Sequence, residues 1–140
     1  MEHNTYKECI VLSEANKSFK NKKMKLQHAK NPEALTEFEV KHIPWIIFPE
    51  FIKPREEFTV TVKVGESPHP MTAEHFIRCI RLYVGGEQFE CQILKEKKKA
   101  EAVFKISLEK DSVVSVVTEC NLHGAWESEK KIVLYRGNGE

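Results

Sequence analysis

The chain has little of what would make a membrane protein, a nucleic-acid binder or a disulfide-stapled secreted domain. No apolar run approaches the roughly 18 residues that a membrane helix needs. The opening stretch MEHNTYKECIVLSEANKSFKNKK has no apolar segment ahead of a small-residue cleavage site. The expectation is a cytoplasmic protein. Charge of one sign is missing too: 22 Lys and Arg against 21 Asp and Glu leave a formal net charge of +1. No diffuse field therefore favours nucleic acid or an anionic membrane surface, and any charge-based function must be local. Cysteine is scarce. Cys9, Cys79, Cys91 and Cys120 are the four, and without a secretion signal they are expected to stay reduced, so thiolate chemistry is available. No internal repeat is evident, which argues against a solenoid.

What remains is 140 residues at 41% hydrophobic content, one domain's length with enough apolar side chains for a core. Residues 1–38 are polar and Lys-rich, as in KSFKNKKMK, and read as an extension. One short helix is expected there at NPEALTEF, with Asn31 as cap and Pro32 in the first turn. Residues 39–140 read as β. FTVTVKV alternates Phe58, Val60, Val62 and Val64 inward, with Gly65 marking its end. HFIRCIRLYV places Phe76, Ile80, Leu82 and Val84 against an outward Arg78 and Arg81, and Gly85-Gly86 offers a hairpin into EQFECQIL. AEAVFKISL, SVVSVVT and WESEKKIVLY follow, and KHIPWIIF precedes. About seven strands at close spacing with one weak helix predict an all-β antiparallel sandwich.

Four of the six histidines stand at strand ends or in stiff loops. His42 sits in KHIP, where Pro44 restricts Ile43 to extended conformations, and His69 lies between Pro68 and Pro70. His75 opens the next strand, so the intervening loop can bring His69 and His75 to one ion. His123 follows Cys120 at Cys-x-x-His spacing ahead of Gly124. Imidazoles and a thiolate aimed at one point are a metal-ion donor set. His3 and His28 read as surface residues. Cys79 and Cys91 fall within strand patterns and read as small buried apolar residues.

KHIP, PHPMTAEHFIRCIRLY and CNLHGAWES together resemble the iron-binding segments of the superoxide reductases, the neelaredoxin and desulfoferrodoxin family, over about residues 38–135. The resemblance implies an immunoglobulin-like β-sandwich carrying one iron per chain, with His42, His69, His75 and His123 in the equatorial positions and Cys120 as axial thiolate. It implies reduction of superoxide to hydrogen peroxide, with electrons from rubredoxin or a similar small redox protein. A homo-oligomer, tetramer or dimer, is implied too. Lys41 matches the family's lysine beside the open iron position, where a cation draws in a small anion.

Two departures stand out. Family members commonly carry Glu immediately before this lysine, whereas here the residue is Val40 and Glu39 lies one position earlier. In an extended segment neighbouring side chains point oppositely, so Glu39 is expected to face away from the metal. Larger members also have a four-cysteine iron centre in an added domain, whereas residues 1–38 contain only Cys9, so no second centre is expected. The competing reading is a cupredoxin-like or other metal-binding electron-transfer sandwich, which would use Met71 as a ligand. A metal-free or structural-zinc sandwich that only binds a partner is a third, although closed zinc normally takes four ligands and five are in prospect.

Overall fold

The computed structural model describes residues 26–65, 69–94 and 99–137. His3, Cys9, the Lys-rich stretch and Pro68 lie outside the described residues. Among the described residues one helix, α1 (Glu37–His42), precedes seven strands: β1 (Pro44–Ile47), β2 (Phe58–Val64), β3 (Ile77–Val84), β4 (Glu87–Ile93), β5 (Glu101–Ile106), β6 (Ser112–Cys120) and β7 (Gly124–Ile132). They form a three-stranded sheet in the order β1-β2-β5 and a four-stranded sheet in the order β4-β3-β6-β7. Every pairing between these strands is antiparallel. This is the sandwich that the strand count predicts. Among the described residues no helix is long and apolar enough to cross a membrane.

The alternation in β2 does what its period requires, burying Phe58, Val60, Val62 and Val64. They meet Phe104 and Ile106 of the same sheet and Ile80, Leu82, Val114 and Val116 of the other in one cluster. Each such side chain contributes roughly 1.5–3 kcal/mol by leaving water. The β-branched residues also suit a pleated, half-buried surface.

Strand β3 breaks the expected pattern in an instructive way. Ile77 pairs with Cys120 and Cys79 with Glu119, so Arg78 is an extra residue opposite β6. This bulge reverses the phase of the strand. Ile77 and Ile80 both reach the core, and Arg78 points to solvent. Arg81, expected outward with Arg78, is instead fully buried on the opposite face from Ile80 and Leu82. There it is ion-paired with Glu119, beside a small second cluster of Tyr83, Val117 and Ala125. Arginine is normally a solvent marker, and only the tertiary partner overrides it.

The helix is also displaced from its expected place. At Asn31 the chain makes a turn, with Ala34 N–H donating to Asn31 O at 2.9 Å and Glu33 N–H to Asn31 Oδ1 at 3.1 Å. The helix starts later, at a capping box in which Thr36 Oγ1 accepts from Glu39 N–H and the Glu39 carboxylate accepts from Thr36 N–H. It stops before Pro44, which cannot continue it. Lys41 and His42 therefore occupy a last helical turn, where a strand end was expected. Ahead of the helix, Gln27 makes a parallel bridge to Trp126 on β7.

Candidate metal centre

Strand β6 ends on Cys120, and β7 begins at its partner Gly124, leaving Asn121, Leu122 and His123 as a three-residue hairpin loop. Such loops close through a left-handed residue, which Gly124 supplies at φ 85°. A Cβ there would also meet Gln27 Nε2 at 3.1 Å. That amide donates to His123 O at 2.7 Å, and Trp126 Nε1–H donates to the same oxygen at 3.2 Å. The tight reversal brings His123 Nδ1 to 3.7 Å from Cys120 Sγ.

The loop before β3 is fastened to this hairpin. Thr72 N–H donates to His75 O at 3.0 Å, and His75 N–H donates to Thr72 Oγ1 at 3.1 Å, which closes the turn. Asn121 then bridges the two loops: its Oδ1 accepts from Phe76 N–H at 2.8 Å and its Nδ2 donates to Glu74 O at 3.0 Å. Asn121 was not singled out in the sequence, since a turn asparagine ordinarily serves its own turn. Met71 is turned away, with its sulfur accepting from Ile77 N–H at 3.4 Å. A methionine ligand of the copper type is therefore not offered.

The third element is α1. His42 Nδ1–H donates to Phe38 O at 2.8 Å, and His69 Nδ1–H donates to Pro70 O at 2.7 Å. Because a carbonyl only accepts, both rings must carry their proton on Nδ1, which leaves Nε2 with its lone pair. His42 Nε2 faces His123 Nδ1 at 3.0 Å. His69 Nε2 and His75 Nε2 are buried without a hydrogen-bond partner among the described residues. One ligand atom from each of His42, His69, His75 and Cys120 lies within 4.8 Å of the others.

His123 completes a square of rings. Going round, centroids are 4.9 Å apart for His42–His69, 4.6 Å for His69–His75, 5.0 Å for His75–His123 and 4.8 Å for His123–His42, with His42–His75 across the square at 6.3 Å. Neighbouring rings stand 75–84° to one another. Buried lone pairs without donors are costly, and a cation among them removes that cost. The donor set, imidazole and thiol with no carboxylate, suits a transition metal better than magnesium or calcium. Iron fits these residues.

Phe38 and Trp126 form the flank. Phe38 lies 4.5 Å from His42, 4.8 Å from His123 and 5.5 Å from Trp126, and Trp126 stacks on His42 at 5.2 Å and 20°. Neither was picked out in the sequence, because apolar aromatics beside a strand read as core. Lys41 is exposed next to His42. Glu39 is buried, with its carboxylate held by Thr36 N–H at 3.0 Å and Lys30 N–H at 3.3 Å. The hydrogen bond from the Thr36 backbone is the chief cause of its lowered pKa. The extended segment expected around Val40 is thus a helix, and capping, not strand alternation, fixes where Glu39 points. Cys79 and Cys91 lie outside the cluster, and His28 is on the surface, 2.8 Å from Glu127.

The sequence profile of the desulfoferrodoxin family matches residues 34–129. The chain belongs to the desulfoferrodoxin family. It is 34% identical over 103 residues to the superoxide reductase of Pyrococcus abyssi, covering 66% of this chain and 87% of that one. It is 30% identical over 114 residues to the neelaredoxin of Megalodesulfovibrio gigas, covering 67% and 88%. The solved structure of the superoxide reductase (neelaredoxin) from Ignicoccus hospitalis superposes with a TM-score of 0.68 at 30% identity, covering 79% of this chain and 95% of that one.

Within this desulfoferrodoxin site, burial governs the imidazoles. Desolvation pushes the His69 pKa from 6.5 down to about 4 and lowers that of His42 as well. Above pH 6.5 His69 is neutral in both folded and unfolded chains. Between 6.5 and about 4, the unfolded chain takes up a proton that the folded chain excludes. Stability of the metal-free protein should therefore fall as pH drops through that window. Urea midpoints at pH 7 and pH 5 check this, and His69→Gln should flatten the slope. An unchanged slope would contradict the burial of a neutral His69.

Proposed function

We propose that this chain is a superoxide reductase that reduces superoxide by one electron to hydrogen peroxide, at one iron held by His42, His69, His75, His123 and Cys120. The closed square of four imidazoles beside a thiol, in a desulfoferrodoxin-family chain, carries the reading. Iron bound there supplies the one-electron chemistry, and a thiolate ligand raises its electron density. The protein's own part is to hold the rings. The carbonyls of Phe38 and Pro70 fix His42 and His69 in the neutral tautomer that binds a metal through Nε2. Gln27, Trp126 and Asn121 hold the hairpin that carries Cys120 and His123. Lys41 presents an exposed cation beside His42, suited to attracting an anion as small as superoxide.

Val40 stands where the family usually has glutamate, and Glu39 is engaged in the capping box. This segment therefore offers the iron no carboxylate. Electrons reach the site from rubredoxin or a similar small redox carrier. The copper reading loses its methionine, because Met71 sulfur is occupied by Ile77 N–H.

Three variants test the assignment. The iron-loaded, oxidised protein should absorb in the visible through thiolate-to-metal charge transfer; Cys120→Ser should abolish the band, and Cys79→Ser should keep it. A band that survives Cys120→Ser contradicts the ligand set. Lys41→Ala should retain iron but slow the second-order reaction with superoxide by roughly tenfold at low salt, with a weaker dependence on ionic strength. A rate equal to that of the parent protein at every salt concentration would remove Lys41 from the mechanism.

A further inference from the structure

The face of the four-stranded sheet turned away from the main core carries reactive side chains that the metal centre does not use. Arg81 of β3 pairs with Cys91 of β4, and Cys79 of β3 pairs with Glu119 of β6, so the two cysteines are diagonal neighbours on one face. Cys79 and Arg81 are fully buried, whereas Cys91 is half-buried. Arg81 Nη2 donates to Glu119, while Nε and Nη1 of the same guanidinium have no acceptor among the described residues. A buried guanidinium is costly, and a thiolate on the same face supplies countercharge. The Cys91 side chain hydrogen-bonds to Cys79, and that contact first, then Arg81 and Arg78, lowers the Cys79 pKa against the opposing effects of burial and Glu119. Burial opposes the charge on Arg81, but Cys79, Glu119 and Cys91 outweigh it and raise its pKa. Cys91 S–H donates to the Cys79 sulfur, with the fixed cation of Arg81 nearby.

We propose that Cys79 and Cys91 are a peroxide-oxidisable dithiol, a modification site in which half-buried Cys91 attacks and buried Cys79 resolves. Cys91 passes its proton to Cys79, and the Cys91 thiolate so formed attacks one oxygen of hydrogen peroxide and the O–O bond breaks. The hydroxide that leaves takes the proton held by Cys79 and departs as water, and Cys91 becomes a sulfenic acid. Cys79, now a thiolate, attacks that sulfur; the S–S bond forms, and a second hydroxide leaves and is protonated by solvent. Two thiols lose two electrons, and one peroxide is reduced to two waters. Diagonal Cα atoms, roughly 7–8 Å apart, exceed the usual disulfide span, so bond formation must draw the strands together. Among the described residues β4 is an edge strand, and its ladder with β3 is already irregular at Leu82/Tyr83, where the pairing can shift.

Hydrogen peroxide is the product of the proposed reaction, but the test supplies it directly, so failure here and failure of the superoxide reading are separate results. The reduced, iron-loaded full chain is treated with one equivalent of hydrogen peroxide, alkylated in denaturant and digested with trypsin. Cleavage after Arg81 puts the cysteines on different peptides. The expected result is a dithiothreitol-reversible Cys79–Cys91 cross-link and the loss of two thiols per chain. Cys79→Ser should leave Cys91 trapped by dimedone as sulfenic acid, and Cys91→Ser should leave Cys79 an alkylatable thiol. Recovery of both cysteines as thiols in the parent protein, or a cross-link from either to Cys9 or Cys120 instead, would overturn the proposal.

Discussion

Four imidazole nitrogens and one sulfur converge at one end of this sandwich, and two of the nitrogens have no donor among the described residues. His69 Nε2 and His75 Nε2 are buried with no hydrogen bond among the described residues, and His42 Nε2 accepts from His123 Nδ1–H. Electron pairs gathered in this way repel one another and forgo water. The rest of the local structure serves to enforce that convergence: the capped helix that presents His42, the closed Thr72–His75 turn, the Asn121 bridge and the glycine hairpin. Folding stores an unfavourable arrangement that a bound cation turns into a favourable one.

The scaffold has a reason to be β. Strand pairing fixes Cys120 opposite Ile77 to within one residue, and the bulge at Arg78 sets the phase on which Cys120 and Ile77 both face inward. A slip of one residue would turn Cys120 away from the histidines. The same bulge sends Arg81 to the outer face, where it meets Glu119, the residue before Cys120. The metal end and the buried charge pair are thus linked through a single irregularity in β3.

Most of the site was legible in the sequence because its residues carry chemistry in their identity. A Cys-x-x-His-Gly after a β-branched run, a His-x5-His loop and a Lys-His-x-Pro segment are uncommon together, and the strands could be read from alternation alone. Two helix-start signals compete: Asn31-Pro32 predicts a start, whereas Thr36-x-x-Glu39 is the capping box that the structure uses. The same displacement changes the reason for Glu39's orientation, which capping sets in place of strand alternation. Arg81 was misread because burial of a charge depends on a partner 38 residues away, which no local pattern reports. Asn121, Gln27 and Phe38 act through backbone and ring contacts, and such roles leave no signature in residue type.

The central claim is that one iron is bound by four imidazoles and one thiolate, and X-ray absorption at the iron edge of the loaded, reduced protein tests it most directly. The account predicts one sulfur scatterer at about 2.3 Å and nitrogen scatterers at about 2.1 Å, with the multiple scattering of several imidazole rings. A shell without sulfur, or one with two or more sulfurs, would contradict it.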